Sequence, residues 1–272
     1  MKELNQKQIR SIQIEILKKT AEFCERNKIS YFLCGGTLLG AVRHQGYIPW
    51  DDDIDLMMIR SDFERFKKEF EIPGYSLNDF ESKGKDFTVP FVKIQKDGTL
   101  LQESKIPGMK TGINIDIFPI DGFPNDSEER KLHLKRLGKL IETIKLNNQI
   151  FSYQQYPVFW KSLLISLLFV IRKIIAGFSS TLKSCEQLDQ LAKKYDFETV
   201  DLAGIAVWGY GSKEVCPKEV FMGQIELKFE DRMYAAPKDY YTYLSLVYGD
   251  YMELPPMEER KRNHPYNAYL IS

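Results

Sequence analysis

The chain has few cysteines, no long apolar run and no net charge. Cys24, Cys34, Cys185 and Cys216 are the four cysteines in 272 residues. None stands at the Cys-x-x-Cys spacing of a zinc site, and four thiols in a chain this long do not make a disulfide scaffold. Cys24 and Cys34 sit among apolar residues and read as buried free thiols of a reducing compartment. The start, Met1-Lys2-Glu3-Leu4-Asn5-Gln6, lacks the apolar core of a signal peptide, so a cytoplasmic location is expected. The most apolar stretch falls within 158–178. Lys161 and Arg172 interrupt it, leaving fewer than the ~20 residues a membrane span needs. The 38 Lys+Arg offset the 38 Asp+Glu. That balance argues against a general nucleic-acid binder, which carries a net basic field. There is no internal repeat and no low-complexity tract.

The remaining composition, 43% hydrophobic and 28% charged, is that of a globular protein with a sizeable core. Apolar spacing predicts a helix over 4–27, a strand over 30–34 broken by Gly35-Gly36, and a short helix from Thr37 to His44 with Thr37 near its cap. A strand is expected over 54–59. Ser61-Asp62-Phe63-Glu64 has the form of a capping box opening the next helix. Val89–Gln95 and Gly112–Phe118 read as strands, the second ended by Pro119. Asp126 with Glu129 caps a helix towards 148. Helices are expected at about 158–178 and 181–194, strands at 200–208 and 225–229, and a helix at 237–248 with Pro237 in its first turn. This order points to an α/β (α+β) enzyme fold.

The most informative stretch is Trp50-Asp51-Asp52-Asp53-Ile54-Asp55-Leu56. Four carboxylates in five positions repel each other unless a cation or solvent relieves them. On a strand, Asp53 and Asp55 share a face with Cα atoms about 7 Å apart, while Ile54 and Leu56 anchor them in the core. Both can then reach one or two divalent cations. The D-x-D-x-D spacing also opens an EF-hand loop. That loop needs Gly sixth and Glu twelfth, where this chain has Leu56 and Asp62, so the reading fails. Asp116 is held between Ile115 and Ile117 on an alternating strand. If that strand lies beside the first, three carboxylates converge as two-metal phosphoryl transfer requires. Gly35-Gly36-Thr37, between a strand and a helix, allows close approach of phosphate to free N–H groups. Arg43 and His44 end that helix, as phosphate or acceptor contacts or as plain C-terminal caps. Lys93 is a further phosphate candidate.

Together these residues resemble the LicD family. The resemblance is carried by Gly35-Gly36-Thr37-Leu38-Leu39-Gly40-Ala41-Val42-Arg43-His44 and Gly46-Tyr47-Ile48-Pro49-Trp50-Asp51-Asp52-Asp53-Ile54-Asp55-Leu56. Gly112 to Asp121, Pro237-Lys238-Asp239-Tyr240, Tyr248-Gly249-Asp250-Tyr251 and Leu254-Pro255-Pro256 add to it. It covers about 30–121 and 235–264, and nothing in about 125–215 matches. It implies a nucleotidyltransferase-like mixed sheet flanked by helices, with an additional helical segment. The expected division is a catalytic core over 1–125, a helical insertion over 126–199 and a completing part over 200–272.

By the same resemblance, Asp53, Asp55 and Asp116 hold Mg²⁺ (or Mn²⁺), with Asp116 as the third metal ligand or the base. Gly35, Gly36 and Thr37 bind phosphate. The implied reaction moves phosphocholine, or a related phospho-alcohol, from CDP-choline or a similar donor to a lipid-linked glycan acceptor. That acceptor is a teichoic-acid or lipopolysaccharide precursor. His264 falls where the family has a polar motif. A choline head needs an aromatic cage, whose members sequence does not name.

Three rivals stay open. One is a nucleotidyltransferase releasing pyrophosphate. Another is a GT-A glycosyltransferase using Asp53 and Asp55 as its DxD motif. The third is a glycan-binding module on a decayed catalytic fold. For 158–178 two readings stand: a buried core helix, or a helix lying on the membrane with Trp160, Lys161, Arg172 and Lys173 at the headgroups.

Overall fold

The computed structural model describes residues 1–103, 111–148, 167–168, 170–174, 177, 180–260 and 266–271. In chain order the first elements are β1 (Lys2–Leu4), α1 (Gln6–Asn27), β2 (Phe32–Leu33), α2 (Gly35–His44), β3 (Asp55–Ile59) and α3 (Arg60–Glu69). Then come β4 (Tyr75–Asn78), α4 (Phe80–Lys83), β5 (Val92–Lys96), β6 (Thr99–Glu103), β7 (Asn114–Phe123) and α5 (Ser127–Asn148). The chain continues through α6 (Thr181–Ala192), β8 (Leu202–Ile205), β9 (Cys216–Pro217), β10 (Gln224–Phe229), β11 (Arg232–Pro237), α7 (Tyr240–Tyr248) and β12 (Tyr266–Leu270).

A mixed seven-stranded sheet organises the molecule, in the order β2-β3-β7-β5-β4, with β8 also on β7 and β9 on β8. β3 and β7 run parallel at its centre, and the remaining pairs are antiparallel. Helices flank the sheet, as the expected fold class requires. Ile54, Leu56, Ile115 and Ile117 are wholly buried. Each such side chain contributes roughly 1.5–3 kcal/mol by leaving water. They fix the register of β3 on β7, because a one-residue slip would turn these apolar groups out and the acids in. A separate sheet, β1-β12-β6, brings both ends of the described chain together, and β10-β11 is an antiparallel hairpin.

Local signals behave unevenly. α1 opens on a reciprocal cap between Asn5 and Gln8, and Ile9, Ile16, Leu17, Ala21 and Cys24 make its buried stripe. Asp126 caps α5 through the Glu129 N–H. The capping box expected at Ser61 does not form. α3 starts at Arg60 with no side-chain cap, and Asp62 instead accepts the Ser30 N–H at 3.1 Å. Pro119 does not end its strand. Along one edge of β7, β5 pairs as far as Ile117 and β8 begins at Ile120, so Pro119 sits in the gap where no partner wants an N–H. Pro237 closes β11 rather than opening a helix, and Asp239 caps α7.

All four cysteines are buried free thiols. Most of 158–178 lies outside the described residues. Within it, 167–168 and 170–174 are helical, with Leu167, Leu168, Val170, Ile171 and Ile174 exposed. Arg172 pairs with Glu142 of α5. Among the described residues no helix is long and apolar enough to cross a membrane.

Candidate active site

The loop carrying the acids is held by three side chains, two on α1 and one on β12. Arg10 of α1 donates to the carbonyls of Ile48, Pro49 and Asp51, the last at 2.6 Å. Gln13, also on α1, donates to the Asp52 carbonyl at 3.0 Å. Tyr266 of β12 donates to the same carbonyl at 2.7 Å. The loop then enters β3 at Asp55, whose Cα pairs in register with that of Asp116 on β7. Asp55 and Asp116 therefore stand side by side on one face, as expected if the two strands were neighbours. The carboxylate oxygens of Asp51, Asp52 and Asp53 lie within 4.8 Å of one another. Asp51 was not among the expected metal ligands, although the D-x-D-x-D alternation was there to suggest it.

The charges are strongly interdependent. Burial, then the charges of Asp53, Asp116 and Asp51, hold the Asp55 carboxyl well above the ordinary carboxylate range. Burial and then Asp53 raise Asp51 likewise. Carboxylates that ionise only against one another are what a divalent cation would stabilise, and the oxygen-only donor set suits a hard ion such as Mg²⁺ or Mn²⁺.

α2 begins at Gly35, with Cys34 as an N-cap that makes no side-chain bond. A Cβ built on Gly35 would stand 3.5 Å from Asp55 Oδ2, and one on Gly36 only 2.6 Å from Asp51 Oδ2. The glycine turn and the acids therefore touch, and the first N–H groups of a ten-residue helix open beside the carboxylates. Thr37 is not the cap: it lies in the first turn of α2. Its hydroxyl accepts the Asp55 N–H at 2.9 Å, which ties the helix start to the acid strand.

Arg43 donates to the carbonyls of Tyr251 and Glu253, both at 3.1 Å, so it binds the C-terminal loop to α2. His44 is beside it and meets Trp50 edge-on. Lys93 lies opposite Asp116 on β5 and donates to both its carboxylate oxygens, at 2.6 and 2.9 Å, and to Asn114. His264 lies outside the described residues. A cavity of about 410 Å³, not legible in the sequence, adjoins Gly36 and Asp51 and is lined by Trp50, Tyr210, Tyr248 and Tyr251.

Comparison with known proteins places this arrangement. The family model described as LicD/FKTN/FKRP, nucleotidyltransferase domain, matches residues 28–142, which span the glycine turn and all the acids above. The lipopolysaccharide cholinephosphotransferase LicD of Haemophilus influenzae is 32% identical over 276 aligned positions, covering 100% of both chains.

The chain belongs to the LicD family.

Two shorter matches are to uncharacterized proteins of Rickettsia prowazekii and Rickettsia typhi. Each is 42% identical, covering 24% and 23% of this chain and 25% and 21% of the relative. The LicD-type motifs gather at one end of the sheet. The glycine turn, Asp51 to Asp55 and Asp116 meet there, and the loop with Tyr248 and Asp250 forms the far wall of the adjoining cavity.

Proposed function

We propose that this protein transfers phosphocholine, or a related phospho-alcohol, from a CDP-activated donor to a sugar hydroxyl of a cell-surface glycan precursor. Lipopolysaccharide and teichoic-acid precursors are the acceptors in view. The observation that carries the reading is the in-register pairing of Asp55 with Asp116 beside the open N-terminus of α2. The full-length likeness to a lipopolysaccharide cholinephosphotransferase supports it.

Asp53, Asp55 and Asp116 would hold Mg²⁺ (or Mn²⁺), with Asp51 adjoining. A bound ion supplies charge neutralisation on the diphosphate and on the departing phosphate. The acceptor hydroxyl attacks the distal phosphorus. A carbon–oxygen–phosphorus link forms, the bond to CMP breaks, and CMP leaves with the electron pair. The hydroxyl proton passes to a carboxylate of the cluster; Asp116 takes either this role or that of third metal ligand. The N–H groups of Gly35, Gly36 and Thr37 hold phosphate at the start of α2. Lys93 fixes the orientation of Asp116. The division into 1–125, 126–199 and 200–272 belongs to the same reading. So does work at the cytoplasmic face of a membrane, where the exposed apolar residues of 167–174 would meet lipid.

The test follows CMP and pyrophosphate with CDP-alcohols, Mg²⁺ and glycan acceptors displayed on liposomes. Wild type should release CMP, and Asp53→Asn and Asp55→Asn should release none while folding normally. A Leu167→Asp/Leu168→Asp variant should lose activity on liposomes only. Pyrophosphate as the product would replace this reading with nucleotidyl transfer. Normal turnover by either Asn variant would overturn the site.

A further inference from the structure

We infer that Glu214, which stands behind the glycine turn, is a positioning residue: its two hydrogen bonds set Cys34 at the start of α2 and the Tyr210–Tyr248 pair. The inference rests on the reading above that this turn takes phosphate. Glu214 ends a short turn, Gly211–Glu214, between β8 and β9. It is 1% exposed, and among the described residues no cation pairs with it. A carboxylate so placed is costly unless hydrogen bonds satisfy it. The chain bends closely around it. Gly209 has φ +85°, and a Cβ there would overlap Glu214 Oε2. The loop that carries Tyr210 is therefore shaped on this carboxylate.

Two limbs leave Glu214 and reach the glycine turn from different sides. On one, Oε1 accepts the Tyr243 hydroxyl of α7 at 3.0 Å, and that hydroxyl lies 3.5 Å from Cys34 Sγ. Cys34 is the N-cap of α2, and its N–H donates to the Asp55 carbonyl at 3.0 Å. On the other, Oε2 accepts the Tyr210 N–H at 2.7 Å. The Tyr210 hydroxyl lies 3.1 Å from that of Tyr248, which would stand 3.7 Å from a Cβ on Gly35. The rings of this pair meet edge to face, with centroids 5.4 Å apart. Without the carboxylate, the Tyr210 N–H and the Tyr243 hydroxyl lose their acceptor together, and both walls of the turn are released.

Charge gives the arrangement a signature. Burial pushes the Glu214 carboxyl up to about 7, against the pull of its two donors. The titratable groups that feel it are Cys34, Tyr243, Tyr210 and, on β9, Cys216. Burial holds each of these above its ordinary value, so all stay neutral while Glu214 ionises. β8 brings no ionisable side chain, and Lys145 of α5 stands 4.5 Å from the Trp208 centroid. Either state of Glu214 keeps both contacts. The carboxylate accepts from both donors, whereas the neutral acid donates to Tyr243 Oη and still accepts the Tyr210 N–H. Only the charge differs, and the ionised form sets a negative charge behind a turn whose ligand is an anion. Phosphate should therefore bind more tightly when Glu214 is neutral.

Calorimetric titration of the full chain with pyrophosphate in the presence of Mg²⁺ tests this. Glu214→Gln keeps both contacts and should bind within about 3-fold of wild type at pH 6. Glu214→Leu should bind about 10-fold more weakly or worse. Tyr243→Phe cuts one limb while its ring stays packed on Phe221, and should cost about 3-fold should the leucine variant fail to fold. From pH 6 to pH 8 wild-type affinity should fall roughly 3- to 10-fold relative to Glu214→Gln, in which no charge appears. Asp51 and Asp55 are present in both proteins, so the difference between the two profiles belongs to Glu214. A residue that served the fold alone would move urea stability and leave that difference at zero. Parallel profiles, folded Tyr243→Phe and Glu214→Leu that bind as wild type does, or a wild type that binds no pyrophosphate overturn the inference. The expected pattern with no CMP released from CDP-choline upholds the positioning role and overturns the transfer reading. Release of CMP with pyrophosphate affinity equal in wild type and the variants does the reverse.

Discussion

Replacing Gly36 with alanine separates the site from the fold. The residue is the second of α2 and its φ is not positive, so an alanine fits the backbone and favours the helix by up to ~1 kcal/mol. Its methyl, however, would stand 2.6 Å from Asp51 Oδ2, closer than real Cβ contacts allow. Asp51 cannot simply swing away. Asp53 stands against its carboxylate, and its backbone is pinned by Arg10. The carboxylate must move by several tenths of an ångström, carrying charge away from Asp53 and Asp55. A misplacement approaching 1 Å at a reacting centre costs about 10²-fold in rate. Gly36→Ala should therefore unfold within about 1 kcal/mol of wild type and release CMP from CDP-choline roughly 10- to 100-fold more slowly. Gly138→Ala is the control. Nothing lies within 4 Å of its added Cβ, so it should gain stability and keep full activity. Wild-type turnover by Gly36→Ala would refute the idea that the contact between the glycine turn and Asp51 sets the site.

The far end of the sheet offers a stability test. Arg60 grips the buried Asp121 through two bonds of 2.7 Å and reaches Asp189 at 3.0 Å. Asp121→Ala should cost about 3–5 kcal/mol in urea unfolding, and Arg60→Met/Asp121→Leu much less, since the double change removes both buried charges and Asp189 keeps Lys193 at 2.6 Å. A single variant within about 1 kcal/mol of wild type would show that the pair is not desolvated. His133 supplies a pH dependence. Burial pushes its imidazole down to about 4, and its Nε2 has no hydrogen-bond partner among the described residues. An unfolded imidazole titrates near ~6.5, so between these values the unfolded chain binds the proton and the native one does not. Stability should fall by about 1–2 kcal/mol as pH drops from 6.5 towards 4, after discounting for solvent screening. His133→Phe should flatten that slope in thermal melts, and an unchanged slope would assign it to other groups.

What was legible in the sequence follows the range of each signal. α1 and α5 announce themselves because apolar spacing and caps are local. The convergence of Asp55 and Asp116 was legible because Ile54 and Leu56 flank the one acid, Ile115 and Ile117 flank the other, and these apolar groups demand the opposite face. Pro119 misled because its tolerance depends on a gap between two strands, β5 and β8, that only the folded sheet contains. The Ser61 box misled because Asp62 found a tertiary partner in Ser30. Asp51 joins the other acids, and Trp50 the tyrosines, only when the loop from 48 to 52 is bent and pinned. The cavity draws residues from around 36, 50, 210 and 250, and no periodicity links them.

That pinned loop joins distant parts of the chain. Its holders are Arg10 and Gln13 near one end and Tyr266, which reaches Asp52 across 214 positions of sequence. Contacts of such separation form late, because loop closure must be paid for before they reward it. β12, which carries Tyr266, lies between β1 and β6. Without β12 the loop would lose its bond from Tyr266 and keep only its holders on α1, so the geometry of the acids depends on contacts far apart in the sequence.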